Sequence, residues 1–108
     1  MALNLPAPIA AYFEAKSRHD IDGMVAPFAE NAWVHDEHND HRGHAAVRAW
    51  IEDTQRKYAD VATPEEASEE GGSVIVRALV SGTFPGSPIR LNHRFTLVDG
   101  AIAELAIG

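Results

Sequence analysis

The chain has 108 residues, with 9 Lys and Arg against 16 Asp and Glu, a formal net charge of −7, six His and no Cys. That length suits one compact domain over residues 1–108, the 45% hydrophobic content is too high for a disordered chain, and the lack of Cys removes disulfides, thiolate chemistry and Cys-type zinc sites. The acidic balance disfavours nucleic acid and anionic membrane surfaces, no apolar run approaches the roughly 20 residues of a membrane span, and Met1–Pro6 lacks a signal-peptide pattern, so a cytoplasmic location is expected.

Ile9, Tyr12, Phe13 and Lys16 recur at helical spacing, and Pro8 suits a first helical turn. Asp20 reads as the N-cap of a short second helix with Ile21, Met24, Val25 and Phe28 on one face, limited near Pro27. Residues 32–35 read as a short strand and residues 36–43 as a polar loop. A third helix is expected from about His44 to Tyr58, with Val47, Trp50, Ile51, Thr54 and Tyr58 as its stripe and Glu52–Arg56 as an ion pair.

The second half is β-rich. Residues 59–70 contain Pro64 and read as an edge strand or an irregular segment, and their acidic run from Glu65 to Glu70 reads as a solvated edge that discourages pairing between molecules. Residues 73–84 form a β-branched run in which Gly82 marks a bulge or bend. A turn at residues 85–88 leads to an alternating segment, 89–98, that puts Ile89, Leu91, His93, Phe95 and Leu97 on one face. Asp99-Gly100 is a hairpin signal, and residues 101–107 complete the sheet. Helices first and an antiparallel meander later indicate an α+β fold, with helices on one face of a curved sheet.

Several segments carry a resemblance: Asp20-Ile21-Asp22-Gly23-Met24-Val25, Phe28-Ala29-Glu30-Asn31-Ala32, Asp36, Gly43 to Arg48, Ser81 to Pro88, Phe95 and Asp99-Gly100-Ala101-Ile102. Together they resemble the nuclear-transport-factor-two-like superfamily, which includes ketosteroid isomerases, scytalone dehydratase and SnoaL-like polyketide cyclases. The resemblance implies a cone-shaped α+β barrel, three helices on a curved, mostly antiparallel sheet that encloses a pocket. It also implies a homodimer through the outer sheet face. Taken residue by residue, Tyr12 matches the isomerases' oxyanion-donating tyrosine, Asp36 their proton-shuttling aspartate and Trp50 an aromatic pocket wall. Their second oxyanion donor, a protonated Asp, falls here on Asn92 or His93, and the apolar alternation favours His93 inward. Ile51 stands where those enzymes carry a supporting tyrosine, so steroid isomerisation itself is not implied.

The chemistry that follows is proton abstraction beside a carbonyl. Asp36 would be the base, its pKa raised by an apolar wall such as Trp33 or Trp50, and Tyr12 with a neutral His93 would donate to the enolate oxygen. Trp33, Trp50, Tyr58, Phe84 and Phe95 would shape the pocket, and His35 could form a His–Asp couple acting on substrate. The expected ligand is a small hydrophobic carbonyl or aromatic metabolite, with no cofactor. The competing reading is a non-catalytic ligand-binding or dimerisation module, in which Asp36 caps a loop and Tyr12 is core. His35, His38, His41 and His44 recur every three residues among carboxylates, a composition that suits Zn, Ni, Cu or Fe; a solvated loop is the simpler expectation, and no metal is assigned. Arg77, Arg90 and Arg94 could pair across a dimer's sheets.

Overall fold

The computed structural model describes residues 3–108. Among the described residues, three helices, α1 (Ala7–Ser17), α2 (Ile21–Val25) and α3 (His44–Tyr58), accompany six strands: β1 (Phe28–Asp36), β2 (Asn39–Arg42), β3 (Val61–Glu70), β4 (Ser73–Ser81), β5 (Ile89–Val98) and β6 (Ala101–Ile107). The strands form one sheet in the order β2-β1-β6-β5-β4-β3. All neighbours are antiparallel except β1 and β6, and the sheet does not close on itself. None of the described helices is long and apolar enough to cross a membrane.

Local chemistry accounts for most boundaries. Pro6 and Pro8 bracket the start of α1, where a missing N–H costs nothing. Asp20 caps α2, its Oδ1 accepting from the Gly23 amide at 3.1 Å. That helix stops at Val25, and Phe28 opens β1 instead of extending the helical face. Gly43 precedes α3 with φ of 90°, a value that glycine reaches without strain.

The segment 36–43, expected as a loop, is the tip of a β-hairpin. Glu37 and His38 both have positive φ, 52° and 65°, the requirement of the tight turn that matches strand twist. Without glycine at the turn, the sequence conceals it. Asp99-Gly100 makes the corresponding turn between β5 and β6, with φ of 51° and 78°. The expected Glu52–Arg56 pair is replaced: Asp53 accepts from both Arg56 (2.6 Å) and Lys57 (3.0 Å). Arg90 and Arg94 pair within the chain, with Glu65 at 2.7 Å and Glu70 at 3.9 Å, so β3's acidic edge is partly neutralised from across β4.

The core lies between the helices and the sheet's inner face. Ile9, Tyr12 and Phe13 of α1 meet Val76 and Ala78 of β4, Phe95 of β5 and Leu105 of β6. Tyr12, Phe13 and Phe95 make edge-to-face contacts with centroids 5.4–5.9 Å apart, an arrangement that ring quadrupoles favour. Alternation assigns each strand's faces, and on β5 it puts His93 inside and Asn92 outside.

Candidate functional site

A cavity of about 750 Å³ opens between α1, α3 and the inner face of the sheet, within the usual range for small-molecule sites. Tyr12 and Lys16 enter it from α1, Trp50, Thr54 and Tyr58 from α3, Asp36 from the end of β1 and His93 from β5. Tyr12 and Lys16 are four residues apart, which puts them on one helix face one turn from each other. Asp36 points inward because Ala32, Val34 and Asp36 alternate onto the buried face of β1.

Asp36 is half-buried, and Trp50 Nε1 donates to its Oδ2 at 3.1 Å. Burial raises the Asp36 pKa; the Trp50 N–H opposes that rise by favouring the charged form. Trp50 is therefore not simply the apolar wall that the sequence suggests. Tyr12 is wholly buried, and burial foremost, then the charges of Asp60 and Asp36, push its phenol pKa up, so it stays a donor. Burial lowers the His93 pKa to about 4, leaving the ring neutral near pH 7. Its Nδ1 lies 3.2 Å from the Leu91 carbonyl, which can only accept, so that nitrogen carries the proton.

A second polar group is not evident from the sequence. Lys16 and Asp60 form a 2.9 Å ion pair, with side chains only 7% and 13% exposed, and both line the cavity. The helical spacing of Lys16 with Ile9, Tyr12 and Phe13 is the one available signal; Asp60, just before β3, gives none. Gln55 Nε2 donates to Asp60 Oδ1 at 3.1 Å and to its carbonyl at 3.2 Å, and the Gln55 Oε1 accepts from His19 Nδ1 at 2.7 Å.

The structure separates some expected site residues. Tyr58 and Phe84 meet edge-to-face at 5.8 Å on the cavity wall. Phe95 is fully buried among Tyr12 and Phe13 and does not line the cavity. Trp33 alternates onto the outer sheet face, where its indole donates to Asp40 at 3.0 Å and Arg42 stacks on its ring at 4.4 Å. His35 borders the cavity, but its ring is bonded to Asp40 at 2.8 Å and is paired with it across the hairpin. The four spaced histidines also diverge, because strand alternation replaces the helical step. His35 pairs with Asp40, His38 occupies the turn, His41 lies by Trp50 with centroids 6.1 Å apart, and His44 begins α3. Among the described residues no three His, Asp or Glu side chains are placed to hold a metal.

The family model of the SnoaL-like domain matches residues 9–105. The chain belongs to the SnoaL-like family. This SnoaL-like chain is 41% identical to a candidate polyketide cyclase from Sinorhizobium meliloti, with 96% of this chain and 95% of that one covered and a TM-score of 0.92. It is 26% identical to SalBIII, an epoxide hydrolase/cyclase-like enzyme in pyran ring formation in polyether salinomycin, over 94% of this chain and 86% of that one, with a TM-score of 0.80. A protein from Catenulispora acidiphila with a ketosteroid-isomerase-like fold is 16% identical, covers 97% of this chain and 86% of its own length, and has a TM-score of 0.83; this likeness concerns the fold alone. Among curated proteins there is no match.

Proposed function

We propose that this SnoaL-like domain binds a small hydrophobic carbonyl or aromatic metabolite in its cavity and converts it by acid–base chemistry. The observation that carries this reading is that Asp36, its pKa raised by burial, faces the same cavity as the protonated Tyr12 phenol. Asp36 takes a proton from the carbon beside the carbonyl. The C–H electron pair forms the enolate double bond, and the carbonyl π electrons move to oxygen, where Tyr12 donates. His93 contributes as a polar wall. The neutral ring has one N–H, given to Leu91, so its other nitrogen accepts. Trp50, Tyr58 and Phe84 supply apolar surface. The cyclase assignments of the relatives support a substrate with reactive carbonyl or oxygen functions.

The test needs no knowledge of the natural substrate. Small hydrophobic ketones are incubated with the protein in D₂O, and exchange of protons beside the carbonyl is followed by NMR. Exchange by the wild type and its loss by about 10²- to 10⁴-fold in Asp36→Asn, with ketone affinity kept within a few-fold, is the expected result. Ketone binding without catalysed exchange would refute the acid–base step and leave a ligand-binding module.

We also propose that the domain pairs with a second copy through the outer sheet face. Arg77 and Arg94 share that face with Glu66, Glu70 and Glu104, so two antiparallel copies can match opposite charges around the half-buried Ile75 and Leu79. Sedimentation should then give a dimer that Arg94→Glu weakens.

A further inference from the structure

We propose that the Lys16 ammonium, pinned by Asp60, is the group in this cavity that takes up a ligand's anionic oxygen, so that the site selects acidic enols and phenols. The assignment rests on the reading of the cavity as a site for ligands bearing carbonyl or hydroxyl oxygen, and adds to it the group that holds the charge.

Lys16 lies one helical turn beyond Tyr12 on the face of α1 turned to the sheet, and both side chains line the cavity. Its charge bears on Asp36 and His93 alike, so it stands within electrostatic reach of both. Among the described lining residues it is the only Lys or Arg. Beside the neutral Tyr12 phenol, donors to a developing oxyanion are scarce there: Trp50 gives its N–H to Asp36, and His93 gives its own to Leu91.

Asp60 divides its two oxygens, Oδ1 to Gln55 and Oδ2 to Lys16. One of the three ammonium hydrogens is directed at Asp60, leaving two for other acceptors. The ammonium is thus held in place without being used up. Asp60 is itself fixed from behind through Gln55 and His19. Gly82 lets the chain close around it, since a Cβ at position 82 would lie 2.9 Å from Asp60 Cβ.

A buried ion pair costs several kcal/mol of desolvation per ion, and replacing one by apolar side chains is often neutral or stabilising. The hydrophobic cluster around Tyr12, Phe13 and Phe95 already supplies packing on this face of α1. An ammonium facing a cavity that also holds Asp36 and Glu37 offsets their repulsion of an anionic ligand. Asp60 in turn gives the Lys16 ammonium a partner of opposite charge.

The probe is a set of phenols of similar size and graded acidity, titrated at one pH into wild type, Lys16→Met, Lys16→Arg and the double variant Lys16→Met/Asp60→Asn. Affinity is measured by calorimetry, and the ultraviolet spectrum of the bound phenol reports whether it is ionised. Wild type should bind more tightly as phenol acidity rises and hold the acidic members as phenolates, and Lys16→Arg should retain that trend. The double variant, which leaves no unpaired carboxylate, should lose about 10- to 100-fold in affinity for the most acidic phenol, change little for the least acidic, and show the un-ionised spectrum. Equal affinity across the series in wild type and double variant, or a phenolate spectrum that survives the loss of Lys16, overturns the assignment and leaves the proposed function standing. Failure of wild type to bind any phenol or ketone overturns both.

Discussion

Replacing Gly82 by Ala tests how closely the end of β4 is packed on the residues that hold Asp60. Gly82 has no positive φ, so alanine meets no backbone penalty there; the obstacle is space. The new Cβ would lie 2.6 Å from the Tyr58 carbonyl oxygen, 2.9 Å from Asp60 Cβ and 3.0 Å from Asp60 Cα. Two of those three neighbours are backbone atoms. The Tyr58 carbonyl is held further by the Thr83 amide at 2.8 Å and the Thr83 hydroxyl at 3.2 Å, so it cannot swing aside freely. Overpacking of this kind costs about 1–3 kcal/mol. Reduced freedom of the unfolded chain returns about 0.4–1 kcal/mol. The net is a loss of about 1–2 kcal/mol. With an unfolding entropy of roughly 0.23 kcal/mol/K for a chain of this length, Tm should fall by about 4–9 °C. Differential scanning calorimetry reads that directly, with Gly108→Ala, where nothing lies within 4 Å, as the neutral control. A Tm within 2 °C of wild type, or above it, would refute the packing argument.

The low His93 pKa sets a pH window. Its folded value, about 4, lies below its usual value of 6.5, so the unfolded chain binds the proton more readily. The neutral buried ring costs no stability above pH 6.5, and stability falls as pH drops from there toward 4. Between pH 7.5 and 5 the loss from this residue is about 2 kcal/mol, and urea midpoints should show it in wild type and not in His93→Gln. Trp50→Phe removes the indole N–H from Asp36 and should move the Asp36 pKa further up, seen as an upward shift in the carboxyl titration by NMR; no shift would show that the 3.1 Å contact carries no charge stabilisation. Asp20→Ala removes the α2 cap and should cost about 1 kcal/mol in urea unfolding; an unchanged midpoint would deny the cap a role.

Period and punctuation in the chain determined the element order. The α1 stripe, the limits of α3, the β5 alternation and the Asp99-Gly100 turn all follow from local steric and solvation rules that tertiary contacts reinforce. The same alternation is enough to turn His93 inward, because one face of β5 is apolar. Asp36 and Trp50 were legible only through resemblance; their hydrogen bond joins residues 14 positions apart. The hairpin at 36–43 was not legible, since its turn uses Glu37 and His38 at angles that most sequences give to glycine. That hairpin mattered beyond its turn: β1 alternation put Trp33 on the outer face, and the pairing of β1 with β2 tied His35 to Asp40 at the cavity rim and scattered the four histidines. The Lys16–Asp60 pair was beyond local reading altogether. A lysine on an apolar helix face reads as a snorkelling side chain until the fold brings a carboxylate 44 positions away to within 2.9 Å of it. Which segments become helix or strand, and which faces are apolar, depends on neighbours a few residues away and is therefore readable along the chain. Which charges share the cavity is settled by the folded chain, because burial and pairing join residues that are distant in sequence.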